Sequence, residues 1–140
     1  MNEGISMVTL ASHGNFNVDV SGTILRAYIS GSWNVETAQA FSAEIKSKAQ
    51  PLLGKTWGHL VILEDWDLGV PEIQSIIEQL VVWCIENGLT RAAQAYSPSM
   101  VKQYQLNKMV LEKIDGFHRN SFTDEESAIA WLAAEGFSLA

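Results

Sequence analysis

The sequence predicts an α/β domain built on a mixed β-sheet, and three observations predict it. Near the start, two β-patterned runs are split by a two-residue turn, Ser21-Gly22, the mark of an antiparallel hairpin. In the middle, the apolar run Leu60-Val61-Ile62-Leu63 ends on the acids Glu64, Asp65 and Asp67 around Trp66, and Gly69-Val70-Pro71 then opens a helix. A buried strand feeding a helix through a short polar turn is half of an α/β crossover, and open α/β sheets place their working groups at the carboxyl ends of such strands. Elsewhere, apolar residues recur at helical spacing in segments that alternate with β-patterned ones.

Met7 to Leu10 is a short β candidate, and Phe16-Asn17-Val18-Asp19-Val20 alternates apolar and polar residues. After Ser21-Gly22, Thr23 to Ser30 reads as the second hairpin strand. The period then changes: Val35, Ala38, Phe41, Ile45, Ala49 and Leu52 fall on one helical stripe, with Asn34 as N-cap and Pro51 and Gly54 at the end. Gly58 to Asp65 is the next strand. Pro71 suits the first turn of a second helix, whose core stripe is Ile73, Ile76, Ile77, Leu80, Val81 and Cys84 and which Gly88 closes.

Leu89 to Tyr96 is a weaker strand with the small residues Ala92, Ala93 and Ala95. Ser97-Pro98 signals a third helix running to Ile114, with Gly116 beyond it. Phe117 to Phe122 reads as a short edge strand. Thr123-Asp124-Glu125-Glu126 fits a capping box, and the last helix carries Ala128, Ile129, Trp131 and Leu132 before Gly136. An initial hairpin followed by βαβ units gives a mixed sheet with helices packed on it.

A chain of 140 residues without repeats or linkers is expected to form one domain, residues 1–140. Its 47% hydrophobic and 18% charged residues are ordinary for a globular protein. The net charge is −7, with only 9 Lys and Arg and no basic stripe, which argues against nucleic-acid binding. The expected setting is that of a soluble, bacterial-type cytoplasmic protein. The N-terminus lacks a basic start followed by an apolar segment, and no apolar run approaches the roughly 20 residues that span a bilayer.

No cofactor or metal is expected. Gly-rich phosphate loops, Gly-x-Ser-x-Gly and Cys/His zinc spacings are all missing. Cys84 is the only cysteine and lies in an apolar run, so it reads as buried core. His13, His59 and His118 are far apart in sequence, and His59 reads as a satisfied structural histidine.

Three stretches carry a family resemblance: Ile29-Ser30-Gly31-Ser32-Trp33 leading to the helix with Phe41, Leu60 to Asp65 with Trp66 after it, and Phe122-Thr123-Asp124-Glu125-Glu126-Ser127-Ala128-Ile129-Ala130-Trp131-Leu132. In order and spacing the chain resembles the STAS domain, and more closely its SpoIIAA-like branch of small stand-alone proteins. The resemblance implies a four- or five-stranded mixed sheet with about four helices. It also implies a binding or regulatory role, without catalysis. In the antagonist members of that family, an Asp-Ser-Ser-Gly-type turn after the central strand carries a serine that a partner kinase phosphorylates. The matching positions are Asp65-Trp66-Asp67-Leu68-Gly69-Val70-Pro71, and no Ser or Thr stands between Gly58 and Gln74. A serine switch is therefore not expected. Nor is Asp67 read as its stand-in, since a carboxylate carries less charge and fewer acceptors than a phosphoserine.

Asp65-x-Asp67 after an apolar strand also resembles the nucleophile strand of haloacid-dehalogenase-type phosphatases, where two carboxylates hold Mg²⁺ and attack a phosphoryl group. That alternative is weaker. Gly69 and Val70 stand where the expected Thr would fall, and no cap domain fits the length. The expected recognition surface is Trp66, Asp67, Leu68 and Gly69 with Trp33 nearby, and the expected partner is a protein or a small apolar molecule. Val82, Trp83 and Ile85 fall partly off the core stripe of their helix, which raises a homodimer through that face.

Overall fold

Successive strand residues point to opposite faces, so alternation in this chain fixes which side of the sheet each residue covers. The computed structural model describes residues 14–67, 71–96, 113–114 and 116–140. Strand β1 (Gly14–Ser21) turns Val18, with Phe16 and Val20, into the core, while Asn15, Asn17 and Asp19 are exposed. It pairs antiparallel with β2 (Ile24–Ser32). The hairpin turn is Gly22-Thr23, one residue later than the pattern implied, and Gly22 has φ +61.

A segment from far along the chain clamps this turn. The Thr23 amide donates to the Ser138 carbonyl at 3.1 Å, the Ser138 amide donates to Thr23 Oγ1 at 3.1 Å, and the Ala140 amide donates to Ser21 Oγ at 3.0 Å. A Cβ on Gly22 would stand 2.2 Å from the Ser138 carbonyl oxygen, so only glycine lets the two segments meet.

Helix α1 (Val35–Lys48) starts where expected: Asn34 Oδ1 accepts from the Thr37 amide and hydroxyl, each at 2.8 Å. Its stripe buries Ala38, Phe41 and Ile45, and Ala49 and Leu52 continue it. Strand β3 (Trp57–Asp67) comes next, then helix α2 (Pro71–Glu86) with Ile73, Ile77, Leu80 and Cys84 buried. Strand β4 (Leu89–Tyr96) has the expected bounds. The two-residue β5 (Lys113–Ile114), β6 (Phe117–Phe122) and helix α3 (Glu125–Ala134) complete the order.

The sheet order is β1-β2-β3-β4-β6-β5. Strands β2, β3, β4 and β6 run parallel, and antiparallel pairs flank them on both sides. The α/β class and the mixed sheet are thus as the sequence predicted, with three helices among the described residues. Helices α1 and α2 cover one face around Leu25, Ala27, Ile29, Trp57, Val61 and Leu63. Helix α3 covers the other, where Ala128, Leu132 and Phe137 meet Ile24, Leu60, Ala93 and Ala95.

Four local expectations change. Strand β3 runs to Asp67, two residues past the expected end, because its last residues pair with the end of β2. Phe117 to Phe122 is an edge strand only in part, since the two-residue β5 pairs with its outer side at Phe117 and His118. Lys113-Ile114, expected to end a helix, form that short strand because they pair with Phe117 and His118. The last helix is capped by Asp124, whose carboxylate accepts from the Ser127 amide at 2.6 Å, one residue later than the Thr123 box. The expected strand Met7 to Leu10, and the third helix from Ser97 up to residue 112, lie outside the described residues.

Candidate functional site

The parallel strands bring two chain ends together at one edge. Gly31 pairs with Trp66 and Ser32 with Asp67, and the register slips between Ser30 and Gly31 so that Asp65 has no partner on β2. Such a bulge bends the strand locally. Trp66 and Asp67 are therefore strand residues at the carboxyl edge; Leu68 and Gly69 lie outside the described residues.

Trp33 stands just past this edge, but its indole turns inward. It is 3% exposed, packs edge-on against Phe16 and Phe41 at 5.9 and 5.0 Å, and donates its N–H to the Ser30 carbonyl at 3.0 Å. Of the helix face at Val82, Trp83 and Ile85, Val82 is 52% exposed. Trp83 and Ile85 are partly buried against the core, and Lys46 sits over the Trp83 ring at 5.8 Å.

The other feature lies inside the core. Between the sheet and helices α1 and α2 is a cavity of about 70 Å³. Its floor includes His59, Val61 and Leu63 of β3 with Ala92 and Gln94 of β4; its roof includes Phe41, Ile45, Leu80 and Cys84. The space is a partly open pocket lined mainly by apolar side chains.

Among the described lining residues the polar groups are few. His59 Nε2 is sealed from solvent and has no hydrogen-bond partner. Burial lowers its pKa from 6.5 to about 4, so the imidazole is neutral at physiological pH. Gln94 is 6% exposed, and its side-chain oxygen accepts from Arg119 Nη1 at 2.7 Å. Arg119 is itself buried, at 3% exposure, with Ser121 Oγ 3.3 Å from the same nitrogen.

Cys84 is buried as the sequence implied, and burial pushes its thiol up from 9.0 to about 12. The thiolate is the nucleophile, so at neutral pH this side chain is packing. The native protein is expected to leave a disulfide reagent such as Ellman's reagent unreacted over minutes. In denaturant one thiol per chain should react at once, and fast labelling of the folded protein would contradict the burial.

The sequence pattern points to the carboxyl edge and not to the cavity. His59 was expected to be a satisfied core histidine; the residue is half-buried, and its Nε2 is sealed from solvent and unmet. Alternation held the only signal: His59, Val61 and Leu63 share one strand face, so a polar ring stands in an apolar row. Gln94 among Ala92, Ala93 and Ala95 is the same signal on the next strand. Among the described residues no group of three or more His, Cys, Asp or Glu side chains gathers as a metal site. No family model matches the chain, and no curated protein is similar enough to count as a relative.

Proposed function

We propose that this chain is a non-enzymatic binding module of the STAS/SpoIIAA-like kind that holds a small apolar molecule between β3 and helices α1 and α2. One observation carries the reading: a largely apolar pocket of about 70 Å³ between the sheet and helices α1 and α2. Binding sites for small molecules are concave, mostly apolar and marked by a few polar groups, and this lining has that character. The hairpin start and the βαβ alternation support the family likeness. The lining supports a role without catalysis, because Cys84 stays protonated and no carboxylate orients His59 among the described residues. The carboxyl edge with Trp66 and Asp67 is the proposed outer surface through which a bound state is read by a protein partner.

Xenon tests the cavity directly, since it enters dry apolar cavities without needing a polar contact. Methyl resonances of Val61, Leu63 and Ala92 are expected to shift saturably with xenon pressure. In Ala92→Leu, where the added carbons project into the space, the shifts should vanish. Unsaturable or absent shifts in the natural protein would remove the reading. The phosphatase alternative predicts turnover of a generic phosphate ester with Mg²⁺ that Asp65→Asn abolishes; the binding module predicts none.

A further inference from the structure

Gln94 narrows what the pocket holds, given that the pocket is a binding site. We propose that its ligand is a small neutral molecule with an acceptor oxygen, such as a ketone or an ester, which takes a hydrogen bond from the side-chain amide of Gln94.

The sheet puts Gln94 on the pocket wall. It stands on β4 between Val61 of β3 and Ser121 of β6, and it lines the pocket with Val61 and Ala92. At 6% exposure its amide is held almost wholly out of bulk water.

Arg119 decides which end of that amide is left for the pocket. A guanidinium only donates, so the atom 2.7 Å from Arg119 Nη1 is the amide oxygen, Gln94 Oε1. Arg119 is not among the described lining residues. The oxygen is thus turned toward β6, and the NH₂ group is the free end. Among the described residues no hydrogen bond engages Gln94 Nε2. Nor is this nitrogen sealed from solvent, as His59 Nε2 is, so an atom seated in the pocket can meet it.

The chemistry of the ligand follows from that donor. A side-chain NH₂ has two hydrogens to give and accepts nothing, and a buried donor left unmet costs free energy. The carbonyl oxygen of a ketone or ester accepts and brings no donor of its own, while its carbons meet the apolar wall. Charge sets a further limit. Among the described lining residues there is no carboxylate, ammonium or guanidinium, so a charged ligand would lose its hydration with no opposite charge on the wall to replace it.

The test titrates 2-butanone into isotope-labelled protein, with 2-methyl-1-butene as the hydrocarbon of the same shape and butyrate as the charged counterpart. The ketone is expected to shift the Val61 and Leu63 methyls saturably and to move the Gln94 side-chain amide protons downfield. The hydrocarbon should move the methyls alone. Gln94→Glu keeps an oxygen facing Arg119 and replaces the donor nitrogen by a second oxygen. It should weaken 2-butanone binding about tenfold and leave xenon binding unchanged. Equal ketone affinity in both proteins, with xenon still bound, would overturn the acceptor assignment and leave the pocket reading intact. Ketone-induced methyl shifts without any shift of the Gln94 amide protons would overturn it in the natural protein, with no variant needed. Tighter binding of butyrate than of 2-butanone would overturn the neutral class. Absence of both xenon and ketone binding would remove the inference together with the reading it rests on.

Discussion

Between pH 6.5 and pH 4 the protein is expected to lose about 3 kcal/mol of folding stability through His59 alone. The sign is set by burial. In the unfolded chain this ring takes up a proton as pH falls through its ordinary 6.5, whereas the folded protein holds it neutral down to about 4. Above 6.5 neither state binds the proton, and the full stability is present. Within the window the unfolded state binds more protons, so stability falls with pH. Below about 4 the folded state protonates as well, and the His59 contribution levels off. Asp19 acts in a different range: the hydrogen bond from Arg26 holds its carboxyl below 3.8, so its contribution is lost only in stronger acid. Urea unfolding measured at half-unit pH steps would show the slope. His59→Leu should flatten it and raise stability at pH 5, because it removes a buried polar atom that has no partner. An unchanged slope in that variant would show that the ring is not held neutral.

Trp57→Ala is expected to cost about 3–5 kcal/mol, a large part of the roughly 5–15 kcal/mol that stabilises a typical domain. Trp57 is 0% exposed, at the start of β3. Its amide donates to the Gly88 carbonyl and its indole N–H to the Asn87 carbonyl, both at 2.9 Å. This one residue thereby ties the start of the central strand to the turn between α2 and β4. Gly88 has φ +114, and a Cβ there would stand 2.1 Å from the Lys55 carbonyl oxygen and 2.9 Å from the indole nitrogen. The turn is shaped around the ring, so little can collapse into the space that alanine would leave. Trp57→Phe separates the two contributions. It keeps most of the apolar contact and loses the bond to Asn87, so a cost of about 1–2 kcal/mol is expected. Equal costs for the two variants, read from urea midpoints, would mean that the hydrogen bond rather than the volume dominates.

The sequence carried the periodic elements well, for a physical reason. The stripe from Ala38 to Leu52 and the one from Ile73 to Cys84 each bury a continuous helix face, and burial is what periodicity encodes. Asn34 was legible because an N-cap acts within four residues. The end of β3 was not, because Glu64, Asp65, Trp66 and Asp67 break the apolar run. The strand is extended by its backbone pairing with Gly31 and Ser32, some 35 residues earlier in the chain. The position of β6 within the sheet was hidden in the same way, since it depends on where Lys113-Ile114 fold back. The cavity was least legible of all. It is a volume left between α1, α2 and three or more strands, and no local pattern records a gap. Only the polar side chains of His59 and Gln94, each in an apolar row, pointed toward it.

The clamp at Gly22 bears on synthesis as well as on the finished fold. Thr23 and Ser138 are 115 residues apart in the chain, so the first hairpin emerges from the ribosome long before the segment that secures its turn. Until Ser138 and Ala140 arrive, that hairpin depends on its own pairing, and isolated two-stranded hairpins are marginal in water. Closure of the turn is therefore a late event in vectorial folding, and the nascent chain passes through a stage with its earliest strands unfastened.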